Sequence, residues 1–242
     1  MSPWNPEGPL RPQDRLVFPL DLPSEAEALR YVKILAGAVG CFKVGLQLFL
    51  AAGPRVIPAI RDRAPEAGIF LDLKLHDIPA TVGLAMERIA QMGADLATVH
   101  AQAGPEALAA AVAARGEVRV LAVTLLTSLA PASLPELARE SQAPGAYVAL
   151  LAQRALSASC QGLVASPLEA KDLRDLAGPA PLLVIPGARP SWASVAADDQ
   201  ARVGSPARAV RDGATLVVVG RPIRDAPDPR EAALAVAAEI PG

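Results

Sequence analysis

The chain has 242 residues, enough for one large domain or two small ones. Its 23 basic and 25 acidic residues leave a formal charge of −2, without the basic excess of a nucleic-acid binder, and 52% hydrophobic residues exclude general disorder. Only two cysteines occur, Cys41 and Cys160, both in apolar segments, so a disulfide framework is excluded and a reducing compartment is expected.

Residues 1–14 form a proline-rich extension without the basic start and apolar run of a secretory signal. No stretch nears the ~18 uninterrupted apolar residues of a membrane helix. A cytoplasmic protein with no membrane partner is expected. From residue 15 onward, short apolar and β-branched runs recur at intervals of roughly 25 to 30 residues, the spacing of βα units. The first strand, Leu16–Leu20, leads to a helix over Ser24–Ala36, where Ser24 and Glu27 have the spacing of a capping box. The second, Cys41–Leu46, is followed by a stretch broken by Gly53, Pro54, Pro58 and Pro65, across which no single helix is drawn. Then come strand Ile69–Leu73 with helix Thr81–Gln91, strand Leu96–His100 with helix Pro105–Ala114, and strand Arg119–Leu125 with helix Ala146–Ser157. Strand Gly162–Ala165 with helix Leu168–Leu176, strand Leu182–Ile185 with helix Pro206–Arg211, and strand Thr215–Val219 with helix Pro229–Glu239 complete the series.

Pro105 and Pro167 sit where a first helical turn tolerates proline, and Gly93, Gly116, Gly178 and Gly213 follow helices as C-terminal caps do. Eight strands alternating with helices make an α/β protein, a (β/α)8 TIM barrel occupying 15–242 as one domain. A doubly wound sheet has the same periodicity and stays the alternative.

Strands buried on both faces read as near-continuous apolar runs, yet the first three carry charges towards their C-terminal ends. These are Asp21, Lys43 and the run Phe70-Leu71-Asp72-Leu73-Lys74-Leu75-His76-Asp77. Residues two apart on a strand share a face, so Asp72 and Lys74 point together, with Leu71, Leu73 and Leu75 on the other side. With the leucines against the helical layer, the charged pair faces the barrel axis near the end where such barrels hold their active sites. Lys43 and Asp21 can open into the same space. A structural ion-pair cluster is the alternative, but buried pairs recover little beyond their desolvation cost, which favours a reaction site. The basic residues are nearly all arginine, with lysine only at 33, 43, 74 and 171, and lysine can release a proton where arginine cannot.

Ile185-Pro186-Gly187-Ala188-Arg189-Pro190 and Val219-Gly220-Arg221-Pro222 follow the seventh and eighth strands. Loops there are the usual phosphate site of this barrel: glycine admits the anion to backbone N–H groups and arginine offers a forked donor. A phosphorylated small-molecule substrate is expected. Between them, Ser191–Val203 contains Asp198-Asp199-Gln200 and is read either as a lid or as an ordinary surface loop. His76 and His100 are read as hydrogen-bonded packing residues, and Cys41 and Cys160 as small core residues. No ligand set for a metal is visible, and none is expected.

The run Phe70 to Pro79, Phe-Leu-Asp-Leu-Lys-Leu-His-Asp-Ile-Pro, resembles the central motif of the orotidine 5′-phosphate decarboxylase family without a gap. Leu20-Asp21, Phe42-Lys43-Val44-Gly45, Leu126-Thr127-Ser128, Pro186 to Pro190, Asp199-Gln200 and Val218 to Ile223 support it in the family's order, across nearly the whole chain. The resemblance implies a cofactor-free decarboxylation of orotidine 5′-phosphate to UMP. Lys74 would donate a proton to C6 of the pyrimidine, Asp72 would lie against the substrate carboxylate, and Lys43 and Asp77 would complete an alternating charge array. Asp21 and Lys43 would hold the ribose hydroxyls, Thr127 would lie at the pyrimidine, and Arg189, Gln200, Gly220 and Arg221 would bind phosphate. It also implies a homodimer in which Asp77 and Thr81 reach the neighbouring site. Ala80 departs from the family, which commonly has asparagine there, and this puts a peripheral contact in doubt. The rivals are a Mg²⁺-dependent keto-sugar-phosphate decarboxylase with the same Asp-x-Lys-x-x-Asp pattern, and a non-catalytic barrel that binds nucleotide monophosphates.

Overall fold

The computed structural model describes residues 3–128, 144–193 and 204–241. Within them, β1 (Leu16–Pro19), β2 (Cys41–Gly45), β3 (Gly68–Leu75), β4 (Leu96–His100), β5 (Arg119–Val123), β6 (Gly162–Val164), β7 (Leu182–Ile185) and β8 (Leu216–Val218) pair in parallel in sequence order. β8 returns to β1, with Val17 opposite Val218, and closes the barrel. Closure settles the choice left open by periodicity in favour of the (β/α)8 barrel over the doubly wound sheet.

Alternation along each strand divides the apolar residues into two layers. Val17, Cys41, Phe70, Leu96, Leu121 and Leu216 fill the barrel interior, whereas Phe18, Phe42, Ile69, Leu71 and Val120 face the helices. Both cysteines are buried core residues; burial raises the thiol pKa well above its ordinary value at Cys41 and to about 12 at Cys160, so neither is an activated thiolate.

The helical layer comprises α1 (Glu25–Leu35), α2 (Leu46–Ala52), α3 (Val56–Arg63), α4 (Pro79–Gln91), α5 (Pro105–Ala114), α6 (Pro144–Ser157), α7 (Ala170–Ala177), α8 (Pro206–Arg211), α9 (Arg221–Arg224) and α10 (Pro229–Glu239). Ser24 caps α1 by accepting from the Glu27 N–H at 3.3 Å. The glycine and proline after β2 divide that stretch into α2 and α3, with Gly53 as the C-cap of α2 at φ 70°. Gly93, Gly116, Gly178 and Gly213 all take positive φ beyond helix ends, as expected of C-terminal caps. Several boundaries shift by one or two residues from expectation, and two helices depart from it in other ways. α7 begins at Ala170, so Pro167 lies in the preceding turn, where the Glu169 carboxylate accepts from the Ser166 N–H instead. α9, a single turn after β8, is too short to carry a sequence period.

The N-terminal extension packs into the bottom of the barrel. Trp4 is 7% exposed and joins the interior layer beneath Phe70 and Leu96. A Cβ at Gly68 would fall within its indole, and one at Gly40 would fall on the backbone of Asp14, so both strand entries accept the extension only as glycine. Glu7 and Arg119 tie the segment to the start of β5 at 2.6 Å. Trp4→Ala should therefore lower unfolding free energy by roughly 3 kcal/mol, measured by urea unfolding, with kcat unchanged because the mouth lies at the opposite end. An unaltered unfolding midpoint would show that the extension is not part of the core.

Candidate active site

The C-terminal ends of the strands open on a cavity of about 550 Å³ lined by Asp21, Lys43, Asp72, Lys74, Thr127, Arg189, Gly220 and Arg221. Its floor is the top of the interior layer, with Phe70, Val123, Val164, Val184 and Val218. Apolar packing below and charge above meet at one level of the barrel.

Four charges alternate in sign across the first three strands. Lys43 Nζ donates to Asp21 Oδ1 at 3.2 Å and lies 3.4 Å from Asp72 Oδ2, to which Lys74 Nζ donates at 2.8 Å. Asp72 is thus shared by two ammonium groups. Its side chain and that of Lys43 are 10% and 11% exposed. Burial alone would raise the Asp72 carboxyl, but Lys43 and Lys74, with hydrogen bonds from Lys74 and Thr98, outweigh it and hold the carboxyl below its ordinary range. Burial works against the Lys43 ammonium too, and Asp72 with Asp21 overcomes it, raising the Lys43 pKa. Gly45 is explained by this array: a Cβ there would stand 2.8 Å from Asp21 Oδ1 and 3.1 Å from Lys43 Nζ.

β3 does not run to the mouth as a regular strand. It extends to Leu75, beyond the expected end at Leu73, and its register against β4 shifts between Leu71 and Leu75. Lys74 lies in that irregular segment at φ 51°, and its N–H donates to Thr98 Oγ1 at 2.9 Å. Asp72 and Lys74 still face the mouth together, as expected, but through a bulge rather than a plain alternation. Thr98, fully buried, has no place in the sequence reading. Its signal was available: Leu96, Thr98 and His100 share the inward face of β4 by the same period of two that placed Asp72 and Lys74.

The second wall is built by the loops after β7 and β8. Gly187 turns the chain at φ 75°, and the Arg189 N–H donates to the Gly204 carbonyl at 2.8 Å, fixing the start of the arginine loop. Gly220 is the N-cap of α9, and Arg221 is its first residue. A Cβ at Gly220 would approach the Pro19 ring at 2.9 Å. Arg224, at the end of α9, also lines the cavity and was not anticipated, because α9 itself was not. Gln200, and with it most of the Ser191–Val203 loop, lies outside the described residues.

Asp77 and Thr81 are exposed and do not line the cavity; the Asp77 carboxylate accepts from the Ile78 N–H at 2.7 Å. The His76 and His100 rings lie beside each other in a tilted arrangement, with centroids 5.3 Å apart and planes at 37°. Contrary to expectation, buried Nδ1 of His100 has no hydrogen-bond partner among the described residues, and burial with the nearby His76 and Lys74 lowers the His100 pKa. Among the described residues, no three His, Cys, Asp or Glu side chains gather as a metal-ligand set. No helix among them is long and apolar enough to cross a membrane.

A sequence profile of the orotidine 5′-phosphate decarboxylase / HUMPS family matches residues 14–236. The chain is 50% identical over 234 residues to an orotidine 5′-phosphate decarboxylase of Anaeromyxobacter sp. (strain K), covering 96% of this chain and all of that one. It is 44% identical over 233 residues to one from Desulfosudis oleivorans, covering 95% of this chain and 94% of the relative. The crystal structure of orotidine 5′-phosphate decarboxylase from Lactobacillus acidophilus superposes with a TM-score of 0.80 at 32% identity, covering 94% of this chain and 99% of that one.

Removing the shared carboxylate has a signed consequence. The folded Asp72 pKa lies below the ordinary 3.8, so its contribution to stability is present above 3.8 and is lost as pH falls through the depressed value. Asp72→Asn, which leaves Lys74 without its partner, should cost about 3 kcal/mol at pH 7, with the difference from wild type shrinking as pH drops below 3.8. Urea unfolding across pH checks this. A pH-independent difference would assign the loss to packing rather than to charge.

Proposed function

The chain belongs to the orotidine 5′-phosphate decarboxylase / HUMPS family, and from that premise we propose that it decarboxylates orotidine 5′-phosphate to UMP and CO2 in de novo pyrimidine biosynthesis, as a cytoplasmic carboxy-lyase without a cofactor. The observation that carries this reading is the Asp72–Lys74 pair, 2.8 Å apart, in one cavity with the glycine- and arginine-bearing loops.

In the reaction the bond from C6 to the carboxylate breaks, its electron pair stays on C6, and CO2 departs. The Lys74 ammonium stands against the developing carbanion, stabilises it and transfers a proton to C6. Asp72 faces the departing carboxylate, a like-charge contact that ends when CO2 leaves, and the attraction at Lys74 contributes more. Lys43 holds Asp72 in place from the other side and, with Asp21, takes the ribose hydroxyls. Thr127 lies at the pyrimidine. Arg189, Gly220, Arg221 and Gln200 bind the phosphate, far from the reacting carbon, where binding energy excludes water from the site. A Mg²⁺ ion, which the keto-sugar-phosphate rival needs, would have to displace two ammonium groups from Asp72.

The second subunit belongs to the same proposal. Asp77 and Thr81 turn away from their own cavity, and the exposed Ile78 and Leu84 flank them at 65% and 66%. We assign this face to a second copy of the chain, with Asp77 and Thr81 completing the partner's site; the exposed Ala80 beside them is a peripheral contact.

Two measurements test the reading. Loss of orotidine 5′-phosphate absorbance should proceed in EDTA, and Lys74→Ala should slow it on the order of 10³-fold or more. Turnover of a sugar phosphate only with Mg²⁺ would install the metal-dependent rival, and UMP binding without any turnover would leave a binding barrel. For the dimer, subunits bearing Lys74→Ala and Asp77→Ala, each inactive alone, should regain about a quarter of wild-type activity after unfolding and refolding as an equimolar mixture. Half the dimers are then mixed, and one of their two sites has both native residues. No recovery would place Asp77 outside the neighbouring site.

A further inference from the structure

Thr98 stands in the middle of β4 with no exposed surface. Its neighbours Ala97 and Val99 pair with Leu71 and Leu75 of β3, so two steps along β4 face four along β3. The surplus forms a bulge made of Asp72, Leu73 and Lys74, which contains both members of the 2.8 Å Asp72–Lys74 ion pair. Bulges break a ladder and re-aim side chains, and here the backbone departure is marked. Lys74 takes φ 51°, a conformation that a residue with a Cβ keeps only where its surroundings compensate.

The Thr98 side chain provides that compensation. Oγ1 accepts from the Lys74 backbone N–H at 2.9 Å, standing in for the ladder bond the bulge removes. The same oxygen donates to Asp72 Oδ1 at 2.9 Å, while Oδ2 of that carboxylate accepts from Lys74 Nζ. A hydroxyl has one proton, and beside an ionised Asp72 that proton goes to the carboxylate, leaving a lone pair for the amide. Both bonds therefore have a fixed direction. One buried side chain sets the backbone that carries the ammonium and the orientation of the carboxylate it meets.

We infer that Thr98 is a positioning residue for the decarboxylation proposed above, on which this inference rests: it locks the β3 bulge so that Lys74 and Asp72 meet the reacting carbon in register. Thr98 lies behind Asp72 and outside the cavity lining, so it acts through the pair and not on the substrate.

Thr98→Val keeps the shape and removes the hydroxyl, whereas Thr98→Ser keeps the hydroxyl and removes the methyl. Steady-state kinetics on orotidine 5′-phosphate should show kcat for Thr98→Val reduced on the order of 10²-fold with KM within about twofold of wild type, because the phosphate grip lies elsewhere. Thr98→Ser should remain within about fivefold of wild type in both constants, since both hydrogen bonds survive. If Thr98→Val does not fold, Thr98→Ala is held to the same criterion. An unchanged kcat in the valine variant, an equal loss in the serine variant, or a loss confined to KM would each overturn the positioning role while wild-type turnover stands. A wild type inert towards orotidine 5′-phosphate would overturn the proposed reaction and this role with it.

Discussion

One carboxylate serving two ammonium groups is the constraint around which the mouth of this barrel is built. Asp72 lies 2.8 Å from Lys74 Nζ and 3.4 Å from Lys43 Nζ, and the buried charges of Asp72 and Lys43 are tolerable only because opposite charges face them. The neighbouring backbone is shaped to this need. Gly45 leaves room for the Asp21–Lys43 contact, and β3 gives up its regular ladder so that Lys74 can return to Asp72 from two residues further along. An array of this kind stores unfavourable desolvation, and the proposed reaction gives these charges a use that offsets it.

The opposite end of the barrel offsets that cost. Trp4 seals the interior layer from below, and Gly40 and Gly68 admit the extension against the entries of β2 and β3. Bottom and top thus divide stability from chemistry, as the general architecture of parallel barrels allows: strands start in packed apolar layers and end in loops free to vary. The proline-rich start of the chain, which has no evident purpose when read as sequence, becomes part of the core once the barrel closes over it.

The site also separates its tasks in space. The charge array belongs to the first three strands, and the glycine- and arginine-bearing loops proposed to hold phosphate follow the seventh and eighth. Because β8 pairs with β1, these two ends of the chain face each other across one cavity. In the proposed reaction, distance within the cavity lets phosphate binding and the chemistry at carbon be tuned by different residues.

Much of this was legible in the residue pattern. Eight apolar runs at regular spacing marked the strands, and β4, β7, α5, α8 and α10 fall where the pattern put them, because buried alternation and proline at a first helical turn are local signals. The run from Phe70 to Pro79 identified Asp72 and Lys74 as inward-facing charges, since a charge inside an apolar strand is itself the anomaly. Thr98 and Arg224 were not found, and Gly45 was read only as part of a motif, without the contact that requires it. A threonine in a strand is unremarkable, a glycine is needed only where another chain segment presses against it, and α9, at four residues, is a single turn that shows no repeat. Closure of the sheet and the bulge that turns Lys74 to φ 51° were decided by tertiary structure alone, whereas the family resemblance already directed Asp77 and Thr81 to a neighbouring site. Closure and the bulge depend on which residues of distant segments come to oppose one another, and alternation along a single strand does not encode its partner's register.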